Sequence, residues 1–582
     1  MKNYKKVYAA FILAGGLILH GCNGIFDDLA INPNQPSMGA YFTSPSAVND
    51  AVMTMYGYMS TQRCLGASGS KTTIIRSDEA SSNSDYGKPG MFGADLNASY
   101  YTIEQPYTLM YTTASQASYI IETAPSVDFS GNEELRNAYM GEAYFWRAFA
   151  HYYLLINFRN ISPIRQMPRN GDDYVRPLEK PAAVWNFIQE DLAHAKELLP
   201  VKGYWDSKNA GRVTKASAAA LLGKAYLYRS GIEQYYGEDK TTFYSEAAKE
   251  FGDVIDGKYG TYDLTKNYAD NFDVAHENNE ESILEFQFLG DVDNAGFNPG
   301  LATSGLAFDS RGLMLPGAGV GYEGVVHNWL YNAFVNSVDK DGYTDIRMFS
   351  TMIFNDLDAS IHLRNDAGGN PIRLKGPGGY KWEELYPAKN GKEGFATVSN
   401  PLAHSFKAGI RKGIDCSMPT QTEADGTPKL VGVGAGVKEY VYNQPRAHGV
   451  NWRYIRYADV LMMYAEAVVS GGTPASNMTP LQAVNKVRGR ANMSELPSVT
   501  MADIQNERIL EFALEGHRFY DLLRWGKLAS RFTELQESDP NFKKFISADD
   551  FKGFVTNKHE WLPIPINEVN SNPYITENNP GY

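Results

Sequence analysis

The chain has 582 residues, 43% hydrophobic and 21% charged, a balance typical of folded globular proteins. Its formal net charge is −13, and an acidic surface repels phosphate backbones, so the composition argues against a nucleic-acid partner. Three cysteines are too few for a disulfide framework or a cysteine-rich zinc site, although Cys64 and Cys416 could still pair with each other.

The N-terminus carries a secretory signal. Three lysines precede an apolar run over residues 7–19, which is too short to cross a bilayer, since a spanning helix needs about 20 residues. Cys22 directly follows Gly21, which resembles a bacterial lipobox, where the cysteine becomes the lipidated first residue of the mature chain; His20 departs from that pattern. We therefore expect export and lipidation at Cys22, the alternative being ordinary secretion without a role for this cysteine.

Apolar residues recur at helical spacing through the first half of the chain. This periodicity predicts helices over residues 47–60, 107–123, 133–157, 182–199, 215–230 and 244–255. In the third helix, Tyr139, Ala143, Trp146, Ala150 and Tyr153 form one apolar stripe.

The helix at 215–230 has a distinct signature. Thr214 is a candidate N-cap, and the alanine-rich stretch that ends at Gly223 permits close contact with another helix.

Residues 290–449 are dense in glycine and proline and show few helical periods, apart from 325–335, where Trp329 and Phe334 are expected to face a core. Helices resume at 454–469, 480–490 and 501–525. The predicted fold class is mainly α, a scaffold of paired helices that carries a loop-rich, irregular subdomain. The predicted division is a signal peptide (1–21), an N-terminal helical region with an early ligand loop (22–289), the loop-rich subdomain (290–449) and a C-terminal helical region (450–582).

Residues 506–526 concentrate titratable groups, and paired carboxylates can hydrolyse glycosides. The spacing favours a structural role, because opposite charges alternate three residues apart, as in an ion ladder along one helix face: Glu515, Arg518, Asp521 and Arg524. We therefore predict no catalytic residue and no cofactor. No cluster of residues has metal-ligand spacing, so we also predict no metal site, although the sequence does not decide whether a structural Ca²⁺ binds.

Several segments occur in a recognisable order: residues 141–148, 220–227, 455–467, 485–491, 515–526, 562–565 and 578–582. Together with the lipobox, they resemble the SusD/RagB family of outer-membrane nutrient-binding lipoproteins. The resemblance implies four tetratricopeptide-like helix pairs that form a superhelical scaffold. It also implies a lipid-anchored protein on the extracellular side of the outer membrane, which captures glycans without cleaving them and passes them to a SusC-like TonB-dependent transporter.

A glycan site needs aromatic faces for sugar rings and polar groups for hydroxyls, placed on loops that a scaffold holds. Two stretches fit and roughly match where family members place ligand loops: residues 76–101 and 290–324. The candidate ligand residues are Asp78, Asn83, Asp85, Tyr86, Phe92, Tyr101, Asp291, Asn294, Phe297 and Tyr322.

Three alternatives stay open. The chain could bind peptides, as the RagB branch implies. It could be a surface glycosidase or lyase, which would need two carboxylates in a cleft. It could also be an assembly scaffold that binds only the barrel.

Overall fold

The computed structural model describes residues 42–61, 63–82, 92, 96–169, 171–288, 308–309, 324–376, 381–397, 403–413, 430–433, 437–440, 447–448, 450–539 and 553–582. The longer helices are α1 Pro45–Met59, α2 Tyr101–Thr123, α3 Glu133–Phe158, α4 Pro181–Leu198, α5 Lys215–Tyr236, α6 Tyr244–Ile255, α7 Asn328–Val335, α8 Tyr457–Val469, α9 Pro480–Arg490, α10 Met501–Glu511, α11 Arg518–Arg524, α12 Leu528–Ser538 and α13 Ile566–Ser571. The strands are β1 Ala80–Ser82, β2 Ser282–Phe286, β3 Phe308–Asp309, β4 Gly324–Val326, β5 Met352–Phe354, β6 Ala408–Ile410, β7 Leu430–Val433, β8 Val437–Tyr440, β9 Ala447–His448 and β10 Trp452–Arg456. The mainly helical prediction is confirmed.

Successive helices pack on one another along the chain, from α2 to α6, and the C-terminal helix α8 continues the series between α6 and α9. The predicted apolar stripe of α3 is confirmed, because its five residues are all buried. Pairwise packing of this kind is compatible with tetratricopeptide-like pairs, whose superhelical detail stays a prediction, as do the domain boundaries.

Two glycines set the closest approaches within this scaffold. A Cβ added at Gly223 of α5 would lie 2.7 Å from Phe251 Cε1 on α6, and one at Gly141 of α3 would lie 2.9 Å from Leu199 Cγ just after α4. Any larger residue would force the helices apart, so the expectation of close contact at Gly223 is confirmed.

Local capping explains where several helices begin. Thr214 and Ser217 form a capping box at the start of α5, which confirms the predicted N-cap. Thr479 and Gln482 do the same for α9. The helices predicted at 244–255 and 480–490 have the predicted bounds.

Three helix predictions in the second half of the chain are wrong in detail. The helix predicted at 454–469 begins only at Tyr457, because residues 454–456 belong to β10. The helix predicted at 325–335 begins as strand β4, and α7 follows only at Asn328. The helix predicted at 501–525 is interrupted between α10 and α11, where Leu514 and Gly516 have φ angles of +61° and +85°. A Cβ at Gly516 would lie 2.8 Å from Thr73 Oγ1, so the break brings this turn against the N-terminal part of the chain.

The predicted ion ladder along this segment is also mostly wrong. Arg524 does pair with Asp521 three residues away, but Glu515 binds Lys412 and Arg456, and Arg518 binds Asp78. The charges join separate parts of the fold because the helix breaks between Glu515 and Arg518.

The strands form small antiparallel sheets. One has the order β1-β4-β6-β5, and the pairs β2–β10, β3–β9 and β7–β8 stand apart from it. Within the described ranges, none of the helices combines the length and apolarity that a bilayer crossing requires.

Candidate functional site

The two predicted ligand loops meet at one strand pair. Strand β1 pairs antiparallel with β4, and Ser82 lies opposite Gly324. Directly opposed residues in such a ladder have Cα atoms about 4.5–5.5 Å apart. The first loop therefore leaves β1 beside the point where the second loop enters β4, although about 240 residues separate these positions in the sequence.

A further segment joins the second loop. Strand β3 lies within the 290–324 loop and pairs antiparallel with β9, with Phe308 opposite His448. The hairpin β7–β8 belongs to the same segment as β9 and pairs Val433 with Val437. Sequence reasoning did not assign this segment to the site, because its strands of two to four residues are too short for a period to be recognised.

The strand pair rests on a buried ion cluster. The Asp78 carboxylate accepts hydrogen bonds from Arg518 at 2.9 and 3.0 Å and from Arg531 Nε at 2.7 Å. Burial alone would raise the pKa of Asp78, but the two arginine charges outweigh it and hold the pKa below its usual value. The cluster therefore stays ionised and fixes the backbone that enters β1.

The Asp78 carbonyl is bound as well. It accepts hydrogen bonds from His327 Nδ1 at 2.9 Å and from Trp329 Nε1. The guanidinium of Arg531 lies 4.2 Å from the centroid of the Trp329 ring. Burial lowers the pKa of His327, so its ring is neutral at pH 7, and its Nε2 accepts from the Ser81 hydroxyl. Residues that follow β4 thus hold residues that precede β1.

The Glu79 carboxyl has different partners from those of Asp78. One of its oxygens accepts from the Leu514 N–H at 3.0 Å and the other from the Ser77 hydroxyl at 3.2 Å. Burial, with Asp78 nearby, raises the pKa of the Glu79 carboxyl to about 8. It is therefore mostly protonated at neutral pH and ties the base of β1 to the turn between α10 and α11.

These contacts define the loop platform: residues 76–82, 324–331 and 512–531. The roles of His327, Trp329 and Arg531 in it were not found from sequence. Their partners lie about 250 and 450 residues away, so no local spacing indicates them.

Of the predicted ligand residues, Asp78, Phe92 and Tyr101 fall on the described part of the chain. The others lie outside the described residues: Asn83, Asp85, Tyr86, Asp291, Asn294, Phe297 and Tyr322, together with Cys22 and Cys416. Asp78 is fully buried, and its carboxylate is occupied by the two arginines.

Phe92 is also buried and packs edge-on against Phe532 and Phe554, with ring centroids 4.9 and 5.2 Å away. The geometry thus gives Asp78 and Phe92 roles in holding the loop.

Tyr101 differs from these two residues. It begins α2, 39% of its surface is exposed, and its ring stacks on Tyr100 with centroids 5.5 Å apart and planes 20° apart. A stacked tyrosine pair at the edge of a loop offers a flat apolar face with a hydroxyl at its rim, which suits a sugar ring.

The carboxylates suspected of catalysis lie elsewhere. Glu511 is fully buried and binds Arg347, Arg456 and Arg490. Burial would raise its pKa, but the arginines hold it far below the usual value, so it remains a charged structural partner. Glu507 similarly binds Arg347.

The described residues contain no group of three or more histidine, cysteine or acidic side chains that could hold a metal ion. Cys64 is a free, buried thiol, and burial raises its pKa. Cys416 lies outside the described residues.

Comparison with known proteins matches both halves of the chain. Residues 31–227 match the family model described as starch-binding associating with outer membrane, and residues 421–582 match the model described as SusD family. A SusD-like protein from Bacteroides ovatus is 24% identical over 532 residues, which cover 90% of this chain and 83% of the relative.

Solved structures show the same fold. A SusD superfamily protein from Bacteroides vulgatus aligns with a TM-score of 0.67 and 22% identity over 93% of this chain and 100% of the other. Surface glycan-binding protein A from Bacteroides thetaiotaomicron, solved in complex with laminarihexaose, aligns with a TM-score of 0.65 and 18% identity over 92% of this chain and 100% of the other. Since both matched family models, over residues 31–227 and 421–582, are SusD-type models, the chain belongs to the SusD-like family.

Proposed function

We propose that this protein captures glycans at the cell surface, in a site formed jointly by the loops that leave β1 and enter β4. The observation that carries the proposal is the pairing of Ser82 with Gly324, which places the roots of both aromatic loops together. The structural neighbour that binds laminarihexaose supports a glycan as the ligand class.

The expected binding is weak. Each sugar hydroxyl exchanges a hydrogen bond to water for one to protein, with a net gain of about 1 kcal/mol. A few such contacts correspond to a Kd of about 10 µM to 1 mM. Weak capture permits release, and repeated contacts along a polymer raise the overall avidity.

Release is directed, in this proposal, to a SusC-like TonB-dependent transporter. The lipid on Cys22 would hold the protein on the extracellular side of the outer membrane beside that barrel. One acyl chain anchors only marginally, at about 0.8 kcal/mol per buried CH₂, so stable retention requires the several chains of a bacterial lipoprotein.

The anchor has its own test. Cys22→Ala should release the protein from membranes into the soluble fraction, because it removes the side chain that would carry the lipid. Fractionation after a high-salt wash measures this, and a variant that stays in the membrane fraction would contradict lipidation.

Isothermal titration of the unlipidated chain against plant, host and microbial glycans tests capture. We expect heat with at least one glycan and no new reducing ends after prolonged incubation. Turnover would support the glycosidase alternative, and binding only of peptides would support the RagB-type alternative. Co-purification with the barrel, together with no binding of any glycan or peptide, would support the assembly-scaffold alternative.

A further inference from the structure

A pocket of about 380 Å³ lies outside the loop platform, between α2, the segment after α3 and helix α13. Its volume falls in the range of small-molecule sites, about 300–1,000 Å³. Its walls are rich in hydroxyl, amide and charged groups: Glu104, Tyr107, Thr108, Tyr111, Thr112, Ser115, Ser162, Ile164, Arg176, Pro565, Asn567, Glu568 and Ser571.

One face of α2 forms a long wall of this α2–α13 pocket. Glu104, Thr108, Thr112 and Ser115 follow one another at steps of four, four and three residues, so their side chains lie in one row.

The walls are fixed by hydrogen bonds among themselves. The Tyr111 hydroxyl accepts from the Ser162 N–H at 3.1 Å, and Ser162 Oγ donates to the Arg176 carbonyl at 3.0 Å. Helix α13 is joined to the same carbonyl by Asn572 Nδ2, at 2.9 Å. A pocket whose walls are tied together in this way is largely formed before a ligand arrives.

The pocket walls offer a ligand both hydrogen-bond donors and hydrogen-bond acceptors. Within the described ranges, Arg176 Nη1 is buried without a hydrogen-bond acceptor. Glu568 Oε1 accepts from Asn572 and Glu104 Oε1 accepts from Asn567, which engages one oxygen of each carboxylate. Sugar hydroxyls both donate and accept, so they can use carboxylate oxygens and a guanidinium together.

The charges select among sugars. Two carboxylates, Glu104 and Glu568, face one cation, Arg176, so the pocket has a net negative charge. A uronic acid would add a third negative charge to a partly enclosed space, which costs free energy. A neutral sugar adds none.

We propose that the α2–α13 pocket is a second saccharide site that takes one neutral pyranose unit, separate from the loop site. Half-buried Tyr111 supplies an apolar face, and the row from Glu104 to Ser115 supplies the polar contacts. The site does not depend on the loops, so it can exist even if the loop site binds something else.

Saturation-transfer NMR on the unlipidated full chain tests this proposal. The neutral probes are the methyl glycosides of glucose, galactose, mannose and xylose, and the acidic probe is the methyl glycoside of galacturonic acid with its carboxylate free. Each is used at up to about 50 mM, because binding of a single sugar unit is weak. We expect at least one neutral glycoside to bind about tenfold more tightly than the galacturonate.

Thr112→Trp fills the pocket and should weaken that binding at least about tenfold. Thr54→Trp on α1 is the matched control, because both threonine hydroxyls are bonded 2.8 Å from the carbonyl four residues earlier and both lie on helix surfaces. If Thr112→Trp lowers thermal stability, exposed Ser571→Trp fills the pocket from α13 instead.

The loop variant Tyr86→Ala/Tyr322→Ala separates the two sites and should retain the monosaccharide signal. Three results would overturn the proposal: no neutral glycoside binds, the galacturonate binds better, or binding survives both pocket-filling variants. Loss of the signal in the loop variant would overturn it too, by assigning that binding to the loops. Release of methanol from a glycoside would mean that Glu104 and Glu568 catalyse hydrolysis, and it would also contradict a pure binding site.

Discussion

The helical scaffold and the loop platform differ in which contacts dominate, although the scaffold also contains buried ion pairs such as Arg147–Asp191 between α3 and α4. Helices α3 to α6 meet through buried apolar side chains and through glycines such as Gly223, which let two helices approach closely. The platform instead fixes its loop roots with buried charges, with Asp78 bound by two arginines from distant parts of the chain. Apolar packing tolerates small losses, whereas a buried ion cluster that loses one member leaves the others uncompensated.

The largest expected effect is therefore in the platform. Asp78→Ala should lower the free energy of unfolding by about 3–5 kcal/mol, because Arg518 would remain buried without its counter-charge and Arg531 would keep only the exposed Glu534. Urea denaturation measures the loss. Glu179→Ala, which breaks a partly exposed pair with Arg165, is the control and should cost at most about 1 kcal/mol. Equal costs would show that buried charge does not hold the platform.

The scaffold should respond to added volume. Gly223→Ala should cost about 1–3 kcal/mol of unfolding free energy, because its Cβ would lie 2.7 Å from the Phe251 ring. Gly57→Ala in α1 is the control, since nothing lies within 4 Å of its added Cβ and alanine favours a helix by about 0.5–1 kcal/mol. A neutral Gly223→Ala would mean that α5 and α6 can separate without cost.

The platform should also respond to pH through Glu79. Its folded pKa of about 8 lies above the ordinary value, so the folded state keeps a proton that the unfolded chain releases near pH 4.3. The contribution of this proton to stability is complete below pH 4.3, falls as pH rises, and is gone above pH 8.

Glu79→Gln keeps an acceptor for Leu514 and removes this titration. The stability of the parent relative to the variant should fall by about 1–2 kcal/mol between pH 6.5 and 8. Denaturation at several pH values measures the difference, and a difference independent of pH would contradict a buried protonated carboxyl.

The smallest effect is expected at the end of the first ligand loop. Tyr101→Ala should weaken glycan binding by about 0.5–1.5 kcal/mol, the scale of one aromatic contact, with little change in stability because the residue is partly exposed. Calorimetric titration measures the affinity. Tyr235→Ala, which removes another exposed tyrosine, should leave the affinity unchanged, and equal losses would remove Tyr101 from the site.

The two regions also differ in how far sequence could predict them. Helices such as α6 and α9 were predicted with their bounds because apolar period and capping residues are local signals. The platform depends on pairs such as Asp78 with Arg518, which are 440 residues apart, so spacing along one helix suggested the wrong partners for Arg518. Strands β1 and β4 have three residues each, too few for an alternating pattern.

The sequence likewise predicts only part of the candidate site. Aromatic and polar composition identified two loops, and the pairing of β1 with β4 brings their roots together. Composition cannot distinguish exposed residues from buried ones. It therefore predicts Tyr101 together with Asp78 and Phe92, which lie inside the protein.

A double-mutant cycle tests most directly whether the two loops act as one site. Tyr86→Ala, Tyr322→Ala and the double variant would be titrated calorimetrically with the best-bound glycan. Residues that share one ligand should show a coupling free energy of at least about 0.5 kcal/mol, as neighbouring positions do. Losses that add within about 0.3 kcal/mol, or no loss in either variant, would contradict a joint site.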